Sequence, residues 1–418
     1  MRLSRKLFFG SAALAAVFVL DGCGGSGSSV NGVADAQKLG NGSLTTAATI
    51  SAPGHMGYNG DSSVFVPAST SQNVKGFAHT NTYIKLNTGD IGQNSVVYTP
   101  AQIKKAYMLS TPAAGQGVIV IVDAFHDPFA LADFNYFSTQ FGLPTEPSNN
   151  VLANSNTVFQ IIYETGTQPA YNAGWSQEEA LDIEWAHAMA PAAKIILLEA
   201  ADNSYTHLLN ADVMAAGIAN AHQCSNSWGG GEFNGEQSFD STFTAPNMVY
   251  FFSGGDSGGV REYPSTSPNV VAVGGTSLFL DGNNNRSSEI AWSGTGCGPS
   301  AFEPRPAFQN RVAYKVGAAR GADDISAVAD PATGVYVRWN GGWYAFGGTS
   351  VACPIIAGIT NRANTNRGNS QQQNAQFYSR LGSTAFFDCA GGNAGGFAGV
   401  LGYDFPTGVG TPNGMGGF

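Results

Sequence analysis

The feature that most constrains the fold of this chain is a set of short, continuous apolar runs separated by helical segments. Runs of this kind, which do not alternate with polar residues, are typical of strands buried on both faces of a parallel sheet. Helices are predicted from Ser176 to Ala190, from Tyr205 to Ala221, and after Ser350. This alternation predicts an α/β fold with a mostly parallel sheet between layers of helices. The predicted strands are Gly117–Asp123, Lys194–Ala200, Asn247–Ser253 and Asn269–Gly275.

The composition limits the function classes. Only 11% of the 418 residues are charged, 55 are glycine, and the net charge is −10. A chain without a basic surface is not expected to bind nucleic acid, because it cannot neutralise phosphates. Few carboxylates also mean little change of self-repulsion on acidification, which is compatible with work at low pH.

The N-terminus predicts export. Arg2, Arg5 and Lys6 precede an apolar run that ends at Leu20 and is too short to span a bilayer, so residues 1–22 are interpreted as a signal peptide. The segment around Cys23 resembles a bacterial lipobox, although Asp21 is unusual there. Lipidation of Cys23 and plain secretion therefore both remain open. Residues 23–94 are predicted to be a flexible tether and short lead-in, and residues 95–418 a single large domain.

Four further cysteines follow Cys23. An exported protein could pair them as disulfides in three ways, between which the sequence does not decide. Burial as small hydrophobic side chains is the alternative, especially for Cys224 and Cys353. The other two are Cys297 and Cys389.

Ser350 stands where a glycine turn meets an apolar helix. Gly347 and Gly348 permit a close backbone approach, and the helix N-terminus offers unpaired N–H groups to an anion. These properties suit a nucleophilic serine, which needs a base and oxyanion donors. The alternative is an ordinary turn with a hydroxyl N-cap.

Two carboxylates lie one helical turn apart at Glu178 and Asp182. Ser176 and Glu179 are interpreted as a capping box, which gives Glu179 a structural role and leaves Glu178 free. The alternative for the pair is a solvated acidic face. If the pair is half-buried among its apolar neighbours, its members share a proton, as acid–base groups at acidic pH do.

Asp256 follows a predicted strand in a glycine-rich turn. Sites of parallel α/β sheets lie at the C-terminal ends of strands. A carboxylic acid that stays protonated there can donate to an oxyanion, whereas the alternative is an Asx turn.

Farther on, Asp388 and Asp404 flank glycine-rich loops that could turn carbonyl oxygens toward a hard cation such as calcium.

Taken together, the motifs resemble the sedolisin family of serine-carboxyl peptidases, which share the subtilisin fold but have glutamate in place of its histidine. The resemblance extends from Tyr98 to Gly414. It is carried by Ile121-Val122-Asp123-Ala124, Asp127-Pro128, Phe141-Gly142-Leu143-Pro144, Glu178 with Leu181-Asp182-Ile183-Glu184-Trp185, Ser225-Asn226-Ser227-Trp228-Gly229, Ser253 with Gly255-Asp256-Ser257-Gly258, Tyr263-Pro264, Asp324-Ile325-Ser326-Ala327, Gly348-Thr349-Ser350 and Gly402-Tyr403-Asp404.

The resemblance implies a role for each candidate residue. Ser350 is expected to be the nucleophile, Glu178 the general base, Asp182 the residue that orients Glu178, and Asp256 the oxyanion partner beside the Ser350 N–H. One structural calcium ion is expected, and its implied ligands are the carboxylates of Asp388 and Asp404 and the carbonyls of Cys389, Val400 and Gly402.

The expected activity is acid endopeptidase cleavage of unfolded polypeptides outside the cytoplasm by a monomer. The edges Ser227–Gly231 and Ser253–Gly255 are suited to pairing with a substrate strand. Three alternatives stay open: a tripeptidyl-peptidase of the same family, a non-catalytic binding protein, and a histidine-based triad, for which no histidine has the expected context. The lead-in is also shorter than the prosegment of many family members, which leaves control of activity unexplained.

Overall fold

A computed structural model describes residues 30–31, 49–50, 52–59, 61–85, 96–109 and 114–418. The predicted signal peptide and Cys23 lie outside these residues. Within them, no helix combines the length and apolarity needed to cross a bilayer.

Seven α-helices lie in the described part of the chain. They are α1 (Pro100–Ala106), α2 (Ala130–Phe141), α3 (Ala173–Met189), α4 (Tyr205–Ala215), α5 (Ala313–Val316), α6 (Thr349–Arg362) and α7 (Ser370–Ser379). Three 3-10 helices cover Glu236–Thr244, Ala307–Val312 and Pro331–Thr333.

The strands of the same residues form several sheets. They are β1 (Val30–Asn31), β2 (Thr49–Ile50), β3 (Gly54–Tyr58), β4 (Asp61–Pro67), β5 (His79–Thr80), β6 (Tyr83–Lys85), β7 (Val118–Ala124), β8 (Phe159–Tyr163), β9 (Lys194–Ala200), β10 (Ala221–Asn226), β11 (Trp228–Gly231), β12 (Val249–Ser253), β13 (Glu262–Tyr263), β14 (Val271–Leu280), β15 (Arg286–Ala291), β16 (Gly298–Pro304), β17 (Ala319–Ala322), β18 (Ile325–Val328), β19 (Val335–Trp339), β20 (Gly342–Gly347), β21 (Phe386–Phe387), β22 (Asn393–Ala394), β23 (Phe397–Ala398) and β24 (Thr411–Pro412).

The central sheet has eight strands in the order β15-β14-β12-β10-β7-β9-β8, and β18 also pairs with β14. Every pairing is parallel except that of β14 with β15. Since all four predicted strands lie in this sheet, the prediction of a mostly parallel α/β fold is confirmed.

Burial on both faces explains the continuous apolar runs. Alternate residues of β7 point to opposite faces of a strand. Val120 and Val122 pack into a core with α4, whereas Ile119 and Ile121 pack into a core that includes Ile183 of α3. The sheet therefore lies between layers of helices, as predicted.

The described part of the lead-in is regular structure, which differs from the loosely structured segment that we expected. Strands β3, β4 and β6 join β20 and β19 in a five-stranded antiparallel sheet, and β5 pairs with β11. The segment has no sustained pattern of apolar residues and is interrupted by glycine. Its strands therefore pair with partners that are distant in sequence. The division of the chain at residues 23 and 95 stays a prediction.

Candidate active site

Ser350 lies at the start of a buried helix that follows directly from β20. Gly348 is the N-cap of α6 and has φ 109°, a conformation that side-chain-bearing residues rarely adopt. Ser350 is the second residue of the helix, where backbone N–H groups have no intrahelical acceptor. Its side chain is fully buried. The strand and turn therefore fix the serine hydroxyl and its N–H at one point in the core.

Helix α3 supplies Glu178 and Asp182, and both carboxyls are fully buried. The solvated acidic face is thus not what the structure has. Helices α3 and α6 approach closely because Gly358 has no side chain: an added Cβ would lie 2.6 Å from the Met189 Cβ. The same packing places Ser350 beside Glu178.

The predicted capping box is wrong. Helix α3 begins one turn earlier, at Ala173, and Asn172 caps it by accepting from the Gly174 and Trp175 N–H groups. Ser176 lies inside the helix, where its hydroxyl donates to Asp127 at 2.9 Å. The Ser-x-x-Glu pattern was matched by chance, because Asn172 is equally good as a cap and lies ahead of it.

Burial determines the protonation of the carboxylate pair. It raises the pKa of Glu178 well above its usual value, Asp182 raises it further, and hydrogen bonding with the Ser350 and Thr82 hydroxyls opposes the shift. Burial and then Asp123 raise the pKa of Asp182 as well. Because both pKa values are raised, the pair keeps a proton at acidic pH. The pair can act as a base only when one of its two carboxyls is ionised.

Asp256 reaches the same place from the loop after β12. Its Oδ1 accepts from the Thr349 N–H at 2.7 Å and from the Thr349 hydroxyl at 2.8 Å. Its Oδ2 is buried and, among the described residues, has no hydrogen-bond partner. Burial raises the pKa of Asp256 well above its usual value. A protonated Oδ2 could therefore donate to a nearby oxygen.

Two oxygen atoms lie close to Gly348, just before the helix that carries Ser350. The Ser350 N–H donates to the carbonyl oxygen of Asn81 at 3.2 Å. A Cβ added to Gly348 would lie 2.0 Å from that oxygen and 2.6 Å from Asp256 Oδ2. Both oxygens therefore lie beside Gly348, and the Asn81 carbonyl oxygen is the one that the Ser350 N–H contacts.

Several residues around the site had no role in the sequence-based prediction. Asp123 at the end of β7 lies behind the pair, and its pKa is raised by burial first and then by Glu178. The Tyr58 and Tyr83 hydroxyls donate to the Asp256 carbonyl oxygen at 3.0 and 3.2 Å. Asp123 stands in a quoted motif and could have been found, whereas the tyrosines come from the lead-in and carry no sequence signal.

The histidines have other partners. His187 is buried, its Nε2 lies 2.9 Å from the Pro144 carbonyl oxygen, and burial lowers its pKa to about 4. His126 contacts Glu199 at 2.8 Å. These contacts give the histidine-based triad no support.

The predicted calcium ligands lie in one loop region. Asp388 accepts from the Gly402 N–H and Asp404 from the Val400 N–H, each at 2.7 Å. Burial raises the pKa of Asp404 to about 6, and the neighbouring Asp388 adds to the shift. No group of three or more His, Cys, Asp or Glu side chains that could hold a metal lies in the described residues. Two adjacent carboxylates nevertheless fit the predicted set, whose other donors are carbonyls.

The cysteines of the described ranges are not cross-linked. Cys224, Cys297, Cys353 and Cys389 are buried and have free thiols. The interpretation as small buried side chains thus agrees with the structure, and none of the three disulfide pairings is present.

Comparisons with known proteins agree with this geometry. The profile of the Subtilase family matches residues 166–403, more than half of the chain. Kumamolisin from Bacillus sp. (strain MN-32) is 29% identical over 362 residues, which are 76% of this chain and 62% of kumamolisin. Sedolisin from Pseudomonas sp. (strain 101) is 36% identical over 166 residues, which are 36% of this chain and 28% of sedolisin. The chain thus spans less than two thirds of the length of these curated relatives.

The fold is also similar to that of a solved structure from the same group of relatives. The solved structure of Pseudomonas sedolisin, a serine-carboxyl proteinase complexed with two molecules of pseudo-iodotyrostatin, matches with a TM-score of 0.67 and 26% identity. The match covers 77% of this chain and 96% of that one. The chain belongs to the subtilase family and, within it, to the sedolisin family of serine-carboxyl peptidases.

Proposed function

We propose that this chain is an exported, acid-active serine-carboxyl endopeptidase that cleaves polypeptides through an acyl-enzyme on Ser350. One observation carries the proposal: four buried residues from three separate elements meet at one place, where the Glu178 carboxyl is hydrogen-bonded with the Ser350 hydroxyl and coupled to Asp182. These residues are Glu178, Asp182, Asp256 and Ser350. The three elements are far apart in the sequence, so only the tertiary fold brings these residues together. Each has the chemistry that its proposed step needs.

The proposed mechanism assigns the protons as follows. Ionised Glu178 takes the Ser350 proton as the hydroxyl oxygen attacks the substrate carbonyl. The Ser350 N–H and protonated Asp256 stabilise the oxyanion, and Glu178 then gives its proton to the leaving amine. Asp182 orients the Glu178 carboxyl and shares a proton with it. Glu178 must be ionised while Asp256 is protonated, so the rate should follow a bell-shaped pH profile. The usual pKa values of carboxyl groups give a centre at about pH 3–5, and the burial that raises the pKa of both groups moves it upward from there.

The direct test is cleavage of an unfolded protein at about pH 4 by the wild type and by Ser350→Ala. The wild type should cut, and Ser350→Ala should lose about 10³-fold or more in kcat. Activity confined to alkaline pH would instead favour a histidine-based site. If neither protein cuts at any pH but both bind the substrate, the chain is a peptidase-like binding protein.

Endopeptidase and tripeptidyl-peptidase activities differ in their products. Mass spectrometry of the digest should show internal fragments of mixed length. A ladder of tripeptides from the N-terminus of the substrate would replace the endopeptidase proposal by the alternative.

The calcium proposal concerns stability only. The carboxylates of Asp388 and Asp404, with the carbonyls of Cys389, Val400 and Gly402, would hold one ion and fix the C-terminal loops. We assign the ion no step in bond cleavage.

The location and state of the protein rest on its N-terminus and composition. We propose export, with either secretion or a lipid on Cys23 as the only membrane attachment, and a monomer that binds polypeptides and no nucleic acid. Metabolic labelling with a radioactive fatty acid, compared between wild type and Cys23→Ala, distinguishes an anchored from a secreted protein.

A further inference from the structure

A second pair of ionisable side chains lies near the catalytic carboxyls, at the C-terminal ends of β7 and β9. His126 Nδ1 lies 2.8 Å from Glu199 Oε2 and 3.0 Å from Glu199 Oε1. The Glu199 side chain is fully buried, whereas 12% of the His126 side chain is exposed. The pair therefore has one member in the core and one member that solvent reaches.

The strand register places Glu199 beside Asp123. The two residues are direct partners in the parallel pairing of β9 with β7. The residues two positions earlier in both strands pack in a core that includes Ile183 of α3. Since side chains alternate along a strand, Glu199 and Asp123 also face α3, and neighbouring strands are about 4.8 Å apart. The two carboxyls thus lie side by side under the helix that carries the catalytic pair, Glu178 and Asp182.

Asp123 connects the two pairs. It is fully buried, and neither of its carboxyl oxygens has a hydrogen-bond partner among the described residues. Burial, then Glu178 and then Glu199 raise the pKa of Asp123 well above its usual value. Burial and then Asp123 raise the pKa of Asp182 in turn. Charge on Glu199 and charge on the catalytic pair therefore act on the same carboxyl.

The surroundings of Glu199 are mostly acidic. Burial raises the pKa of Glu199, and His126 opposes the shift. Burial alone would lower the pKa of His126, but the hydrogen bond and the charge of Glu199 outweigh it, so this pKa is raised. While the pair holds one proton, it has no net charge. The ionisable groups that face Glu199 from the elements packed against it are His126 and Asp127 of the loop after β7, Asp123 of β7, Tyr163 of β8 and Glu179 of α3.

We propose that Glu199 and His126 are positioning residues of the active site, which as a neutral pair keep net charge away from Asp123 and thereby set the acid limit of activity. A net positive charge here would stabilise ionised Glu178, and a net negative charge would destabilise it. This inference rests on the proposed function and adds to it an ion pair that acts on the catalytic carboxyls through Asp123.

The first test is the pH dependence of kcat/KM for a fluorogenic peptide in variants that change the charge of the pair. Glu199→Gln leaves protonated His126 without its partner, so the acidic limb should move to lower pH. A unit charge about 10 Å from a buried carboxyl, which is about two strand spacings, shifts its titration by about one pH unit at an effective dielectric constant of about 20. An acidic limb that stays in place in Glu199→Gln would overturn the proposal.

The double variant distinguishes charge from structure. With both Glu199→Gln and His126→Gln the pair again has no net charge, so the acidic limb should return toward the wild-type position although both side chains have been replaced. His126→Gln alone should leave the limb in place or move it to higher pH. A double variant that differs from the wild type as much as Glu199→Gln does would indicate a merely structural role and would contradict the inference.

A matched control lies on the other face of the sheet. Glu164 directly follows β8, and its Oε2 lies 2.8 Å from His207 Nδ1 of α4, the same distance as in the pair of His126 and Glu199. Glu164→Gln removes the same kind of charge and should leave the acidic limb at the wild-type position. An equal shift in Glu164→Gln would overturn the proposal, because any change of charge would then have this effect. The melting temperature of each variant checks the fold.

A second readout does not depend on turnover. Coupling between two ionisable sites is reciprocal, so the catalytic pair should also act on His126. We expect the NMR titration midpoint of His126 in Ser350→Ala, assigned with His126→Gln, to fall by about 0.3 pH units or more when Glu178→Gln and Asp182→Asn remove the charge of the catalytic pair. An unchanged midpoint would overturn the coupling.

The two readouts separate this inference from the proposed function. If the wild type cleaves the peptide through Ser350 but neither the acidic limb nor the His126 midpoint moves, the inference fails and the proposed function stands. If the wild type cleaves nothing at any pH, the proposed function fails, and the His126 midpoint alone decides whether the two pairs are coupled.

Discussion

Replacing Asp256 tests the division of labour between the carboxyl groups of the site. In the proposed mechanism the oxyanion has two donors, the Ser350 N–H and a protonated Asp256 Oδ2, while in the structure Asp256 Oδ1 accepts two bonds from Thr349. Asp256→Asn keeps an acceptor toward Thr349 and places an amide N–H where Oδ2 was. Asp256→Ala removes the donor and leaves the Thr349 groups unpaired.

The expected magnitudes follow from the number of donors that remain. Loss of one of two oxyanion donors costs about 10²–10³-fold in kcat, or about 3 kcal/mol, which we expect for Asp256→Ala. Asp256→Asn keeps two donors and should lose less than about tenfold at pH 4. Since the amide does not titrate, the alkaline limb of its pH profile should move to higher pH, whereas the acidic limb, set by Glu178, should stay.

The assay is kcat/KM of the enzyme for a fluorogenic peptide from about pH 2 to about pH 8. The melting temperature of each variant is the control, because unpaired Thr349 groups also cost stability. An Asp256→Asn profile with the wild-type alkaline limb would refute the assignment of that limb to Asp256. Near wild-type turnover in Asp256→Ala would refute its role at the oxyanion altogether.

Three further predictions concern the base, the fold and the metal. Glu178→Ala and Asp182→Ala should each lose about 10³-fold or more in kcat at an unchanged melting temperature, and the double variant should lose far less than the product of the two losses. An active Glu178→Ala would require a different base. The free energy of unfolding should be higher at about pH 4 than at about pH 8, because burial raises the pKa of Asp212 to about 8 and of Asp127 to about 7. The folded state therefore binds more protons than the unfolded state over this range, so stability falls as the pH rises. A melting temperature that rises from pH 4 to pH 8 would contradict this. Excess chelator should lower the melting temperature near neutral pH and have less effect below about pH 6, where protonation of Asp404 competes with the ion, and an unchanged curve together with a calcium-free metal analysis would count against the site.

The sequence by itself determined the sheet and the family. The runs at β7, β9, β12 and β14 are apolar without alternation because both of their faces are buried, so the pattern indicates a parallel sheet even before any partner strand is known. Glu178 and Asp182 are adjacent on any helix, because their spacing is fixed by its period. The glycine turn before Ser350 is equally local.

Only the tertiary structure decided what the site contains. Whether Glu178 is solvated or buried depends on the packing of α3 against α6, which a spacing of four residues does not report. The start of α3 was missed because two residues could cap it and packing selected Asn172. The lead-in shows the largest difference: Asn81 is about 270 residues from Ser350 in sequence, so no local pattern predicts that its carbonyl oxygen meets the Ser350 N–H. Long-range strand pairing placed it there, since an open edge such as β11 binds any extended segment that reaches it.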